Sequence, residues 1–232
     1  MINYIINLKN LSLLLFSCSY LLPLKNISNE QILNHLKEEK NWILIEQRKD
    51  KINVFEMDIP QMSLNALKVE KIVEIDPYKA IDVVMNIGNY PEVMENNTMT
   101  SYIIGEKNGE IYAYNKFPIP IPFVSARHYF FKIKKISDFE LNWTLLENRE
   151  INSSDTLYKI LNENNDAVYV ERGAGLWKID NLSENLSKVS YSLYMDSGGS
   201  LSDYLNDFIT SQSIIMLFNG ILKKAGDKSY VN

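Results

Sequence analysis

Between residues 42 and 196 apolar and polar positions alternate with a period of two over most of the chain, which predicts β-structure. "WILIEQRK" (42–49) and "INVFEMDI" (52–59) flank Asp50 and Lys51, a hairpin spacing. In "NALKVEKIVEI" (65–75), Leu67, Val69, Val73 and Ile75 face one way, and Lys68, Glu70 and Glu74 the other. "MTSYIIGEKNGEIYAYNKF" (99–117) reads as two strands about Asn108-Gly109, a pair that accepts the positive φ of a tight hairpin turn. "RHYFFKIKKISDFELNWTLLENRE" (127–150) makes two more about Ser137-Asp138. "AVYVERGAGLWKIDNL" (167–182) and "KVSYSLYMD" (188–196) form the last pair, with Val189, Tyr191, Leu193 and Met195 inward. Gly173 and Gly175 are expected to mark a bulge or a close helix approach.

Helical spacing takes over elsewhere. Ser28 and Gln31 stand at capping-box distance, opening a helix to about residue 40 with Ile32, His35 and Leu36 on one face. Asp76-Pro77 opens a second, with Ala80, Ile81, Val84 and Met85 as its buried stripe. "GNYPEVM" (88–94) is a turn and a short helix. A long helix over 200–224 closes the chain, with Leu201, Leu205, Phe208, Gln212, Ile215 and Leu222 on one stripe. No linker interrupts 28–227. The expected fold is one α+β domain, a long curved antiparallel sheet with the last helix packed across it.

One strand carries an anomaly. In "PIPIPFVSARHYFFKIKK" (118–135), Arg127 shares its row with Tyr129, Phe131 and Ile133, the row expected to face the core. His128, Phe130, Lys132 and Lys134 form the other, expected to face water. A buried guanidinium without a partner costs several kcal/mol. Arg127 therefore needs an acid, backbone carbonyls, water or a ligand, unless it starts an edge strand and reaches solvent. Glu147, Glu171 and Asp196 are the candidate acids. Trp143 is in phase with Leu141 and Leu145, as core or cavity wall, and Trp177 is read as core. Gln212 and Asn219 are placed on or near the inward stripe of the last helix.

Composition narrows the function. The 232 residues are 46% apolar and 23% charged, as in a globular protein able to bury a core. A net charge of −5 argues against general nucleic-acid binding, which depends on neutralising phosphates. One cysteine and two histidines allow neither an internal disulfide nor a Cys/His zinc site. No phosphate-binding glycine motif is present, and no metal or cofactor is expected.

The first 25 residues are set aside from the fold. Lys9, the apolar run 11–16, then Ser17 and Cys18 give the pattern of an export signal. "LFSC" (15–18) also resembles a bacterial lipoprotein box, which makes Cys18 a candidate lipidation site. An exported protein, periplasmic or anchored to a membrane through that lipid, is expected. The alternative is a buried or frayed N-terminal helix of a cytoplasmic protein.

Several stretches, in order, resemble the START branch of helix-grip lipid-binding domains. "NWILIEQRKDKINVFEMDI" is similar to the opening hairpin of that family. "KVEKIVEIDPYKAIDVVMNIGNYPEVM" is similar to its strand-then-helices passage. "PIPIPFVSARHYFF" resembles its proline, Arg-Asp, aromatic strand, with His128 in place of the aspartate. "GAGLWKI" resembles its Gly-Gly-x-Trp strand, and "DSGGSLSDYLN" its entry to the last helix, with Ser202 where a proline is common. The resemblance implies an apolar tunnel between sheet and last helix, holding a lipid or similar molecule for transport or sensing. The residues it places there are Arg127, Tyr129, Phe131, Trp143, Trp177, Tyr191, Met195, Phe208 and Gln212. It implies a monomeric, non-enzymatic binding module. The alternative is a cyclase- or hydratase-like enzyme of the same fold acting on a hydrophobic polyketide-like substrate, with His128 as its candidate acid or base.

Overall fold

A computed structural model describes the backbone of residues 27–119, 121–183, 186–199 and 203–226, and their side chains except those of 203–208. Cys18, the export pattern, Leu201 and the Phe208 side chain lie outside the described residues. The strands are β1 (Ile43–Gln47), β2 (Asn53–Met57), β3 (Ala66–Val73), β4 (Thr100–Lys107), β5 (Glu110–Phe117), β6 (Arg127–Ser137), β7 (Glu140–Leu145), β8 (Val168–Tyr169), β9 (Arg172–Ser183) and β10 (Leu186–Asp196). The helices are α1 (Asn29–Leu36), α2 (Pro77–Met85), α3 (Tyr90–Val93), α4 (Asn148–Asn152), α5 (Asp155–Glu163) and α6 (Asp203–Gly226). The strands make one curved sheet in the order β1-β2-β3-β10-β9-β7-β6-β5-β4. Its pairs are antiparallel except that β8 lies parallel to β6, beside Arg127 and His128, beyond the point where β7 ends.

Local chemistry explains the elements. Ser28 caps α1 with the full reciprocal box to Gln31. The Asp76 carboxylate accepts from Tyr78 N at 2.9 Å, and Pro77 occupies the first turn of α2, where its missing N–H costs nothing. Asn108 (φ 55°) and Gly109 (φ 74°) both adopt positive φ between β4 and β5, as a two-residue hairpin of right-handed twist requires.

Both sheet faces are covered. On one, α2, α3 and α6 enclose the main core, including Ile81, Val84, Ile133, Leu141, Trp177 and Phe218. On the other, Ile32, Leu33 and Leu36 of α1 pack on Met57, Ala66, Leu176 and Tyr194. Beside them Ile151 and Leu157, from α4 and α5, cover Tyr114 and Phe130. This second layer corrects the expected wet face of β6. His128 and Phe130 are buried, Lys132 is half-buried between Glu30 and Glu150, and Lys134 alone of that row is exposed. The cause is the helical 148–163 segment, in which the residue pattern predicts no helix.

The glycines of β9 are not at a bulge, since β9 and β10 stay in register from Ser187 to Asp196. Gly175 lies opposite Trp143 across the sheet, and a Cβ there would fall 2.4 Å from the indole nitrogen. The missing side chain is what lets Trp143 lie across β9.

Candidate functional site

The site is the space between the concave face of the sheet and α6. Alternation aims Asn115 and Phe117 of β5, Tyr129 and Phe131 of β6, and Trp143 of β7 into it. Trp177 of β9 and Tyr191, Leu193 and Met195 of β10 continue the wall. Tyr90 and Met94, at and just after α3, and Met99 before β4 close one side. From α6 come Ile209, Thr210, Ser213, Ile214 and Leu217. No described lining residue is charged. The cavity volume is about 80 Å³, well below the roughly 300–1,000 Å³ typical of ligand pockets. The space is therefore narrow for a pocket that is to hold a ligand.

The polar groups of the wall are mostly paired. Tyr90 Oη donates to Val84 O at 2.7 Å. The Trp143 indole hydrogen-bonds the Tyr191 hydroxyl. Asn115 Nδ2 donates to Tyr129 Oη at 3.1 Å. Burial pushes the Tyr90, Tyr129 and Tyr191 phenols up, so all three stay neutral hydroxyls. Trp177 is clamped between rings, stacked nearly parallel on Tyr191 at 4.1 Å and 6.0 Å from Phe218. It is both core and wall.

Arg127 is on the inward row but is not a lining residue. Its side chain is 2% exposed and lies under the turn that leads to α6. Nε donates to Ser197 O at 2.9 Å, Nη1 to Ser125 O at 2.5 Å and Nη2 to Gly198 O at 3.2 Å. Of the partners considered from the sequence, backbone carbonyls are the ones observed. The three candidate acids work elsewhere. Glu147 caps α4, Glu171 accepts from Asn148, and Asp196 accepts from Gly198 N at 2.9 Å. Asp196 thereby shapes the turn whose carbonyls hold Arg127. That turn requires Gly198 (φ 66°) and Gly199 (φ 72°), both in left-handed backbone.

Of the residues expected at the site, Tyr129, Phe131, Trp143, Trp177, Tyr191 and Met195 meet at the cavity. Gln212 does not, because it is on the exposed side of α6. The helix is apolar around most of its girth, so periodicity alone misplaces its inward face. What sets the rotation is Gly220, where a Cβ would fall 2.1 Å from Val93 O. The sequence reading also missed Tyr90, Asn115, Thr210 and Ser213. Asn115 had a signal: a polar residue in the inward row Ile111, Ala113, Phe117 of β5.

His128 sits behind β6, away from the cavity. Its Nδ1 is 3.2 Å from Tyr114 Oη, its ring meets Tyr169 edge-on, and burial first, then Lys116, lowers its pKa to about 4. Among the described residues no three His, Cys, Asp or Glu side chains gather as a metal site.

This architecture matches solved structures closely enough to classify it. Human STARD10 superposes with a TM-score of 0.62 at 14% identity, covering 84% of this chain and 78% of its own. Human StAR-related lipid transfer protein 5 gives 0.63 at 15% identity, covering 84% and 91%. The chain has the START helix-grip fold. A STAR-related lipid transfer protein of Xanthomonas axonopodis shares the START fold at TM-score 0.57 and 16% identity, over 79% of this chain and 95% of that one. No family model matches the sequence. No curated protein matches it either. The expected helix-grip architecture is thus observed, with a convex-side helical layer in addition.

Proposed function

We propose that this START-fold domain binds one hydrophobic molecule, a lipid, between the sheet and α6, and carries or senses it. The observation behind the reading is a wall of mainly aromatic and aliphatic side chains, none of the described ones charged, under one helix. Two of the similar structures are lipid transfer proteins by name, which supports it. The cavity must widen several-fold from about 80 Å³ to take an acyl chain, so uptake needs outward movement of a covering element. The cyclase alternative has less support. General acid–base catalysis needs a titrating group within hydrogen-bond reach of the substrate. His128 is on the far side of β6, and the tyrosines of the wall are held neutral by burial.

Native mass spectrometry of the purified chain tests the reading. The expected result is a heavier species that loses its excess mass on solvent extraction. A bare chain that also takes up no fluorescent lipid from vesicles would refute it. Export and Cys18 lipidation rest on residue pattern alone; palmitate labelling of the wild type against Cys18→Ser decides them.

A further inference from the structure

Asn115, a residue of the cavity lining, has a fully buried side-chain oxygen with no protein partner among the described residues. Asn115 is 2% exposed, so bulk water does not reach it. Its amide nitrogen is committed to Tyr129 Oη at 3.1 Å. With Nδ2 so committed, Oδ1 is left as a buried acceptor without a partner. Buried polar groups are almost always matched, and an exception in a cavity needs an explanation. A ligand atom supplies one.

The geometry specifies what that atom is. Tyr129 Oη already accepts from Asn115, and keeps its own proton to donate. The wall therefore offers an acceptor and a donor side by side. A single hydroxyl oxygen satisfies both, donating to Oδ1 and accepting from Tyr129. A ketone, ester or ether can only accept, and leaves Oδ1 bare. A carboxylate or ammonium has no opposite charge here, because no described lining residue is charged and Arg127 is held by three carbonyls. We infer that the cavity selects its hydrophobic ligand by a neutral hydroxyl, read by Asn115 and Tyr129 together. The inference rests on the proposed binding function and names the ligand class for it.

The test uses the full chain and three fluorescent probes that share one pyrene-labelled long alkyl chain: the alcohol, its methyl ether and the carboxylic acid. Dissociation constants are read by titration. The alcohol is expected to bind more tightly than the ether by about 5- to 150-fold, the range for leaving one buried acceptor unmatched. Asn115→Leu, close in volume, should collapse that ratio by weakening the alcohol while the ether still binds. Tyr129→Phe should narrow it in part, which keeps the test alive if the first variant does not fold. Equal binding of alcohol and ether to the wild type overturns the inference while the hydrophobic-ligand reading stands, as does tightest binding of the acid. If none of the three probes binds, the binding function itself falls, and this inference with it.

Discussion

Replacing Gly220 with alanine sets two effects of opposite sign against each other. In a helix interior alanine is favoured over glycine by about 1 kcal/mol. Against that, the new Cβ would lie 2.1 Å from Val93 O, 2.8 Å from Val93 Cγ1 and 2.9 Å from the Val93 carbonyl carbon. A carbon–oxygen contact relaxes at about 3.3 Å, so α3 and α6 must part by roughly 1 Å. The obstacle is backbone, so no rotamer change relieves it. That backbone is braced, with Met94 N bonded to Tyr90 O at 2.8 Å and Tyr90 Oη to Val84 O at 2.7 Å. Overpacking of this kind costs about 1–3 kcal/mol, and a backbone clash belongs at the upper end. The net expectation is a loss of about 2 kcal/mol, or roughly 4–8 °C in melting temperature for a domain of this size. Gly105→Ala is the control, since a Cβ there meets nothing within 4 Å and should change stability by less than about 0.5 kcal/mol. Thermal and urea melts followed by circular dichroism supply the numbers. A Gly220→Ala variant that melts at or above wild type would show that propensity wins and that the α3–α6 approach does not orient the helix.

Arg127→Ala strips donors from three carbonyls and should cost about 2–4 kcal/mol in urea unfolding, with Arg127→Lys rescuing only part because an ammonium lacks the planar fork; unchanged stability would refute the tie. His128 has its folded pKa lowered to about 4 from 6.5, so the unfolded chain binds more protons between those values. Stability should therefore fall as pH drops from about 6.5 to 4, and His128→Gln should flatten that slope; an equal slope in the variant assigns it to other groups. Asn29→Ala removes the amide that donates to Leu145 O at 2.9 Å and Glu171 O at 2.8 Å and accepts from Gly173 N at 3.0 Å; a loss of about 2–4 kcal/mol is expected, and one under 0.5 kcal/mol would count against the clamp.

The hairpins, the caps of α1 and α2, and most of the cavity wall were legible because they follow from local rules. Asn108-Gly109 demands its turn, and alternation carries Tyr129, Phe131, Tyr191 and Met195 to one face wherever the sheet forms. Other features depend on what packs against what. Nothing within β6 tells that α4 and α5 bury His128 and Phe130, because the same row carries Lys132 and Lys134 and so has the pattern of a wet face. Two of the three carbonyls that hold Arg127 belong to a turn about seventy residues away, and a carbonyl's direction is not written in residue type. The inward side of α6 is set by the close approach at Gly220, which hydrophobic spacing does not record.

The clamp at Asn29 also has a history in time. It belongs to the first described helix, yet its partners lie 116, 142 and 144 residues further on. A ribosome adding about 5–20 residues per second needs roughly 6–29 s to make that stretch. Through that interval Ile32, Leu33 and Leu36 have only the β2–β3 part of their cluster, since Leu176 and Tyr194 are among the last strand residues made. The first described helix is thus among the last to dock. The nascent chain carries a short apolar face that β9 and β10 have yet to cover, and this is the point at which a chaperone has the longest opportunity to hold it.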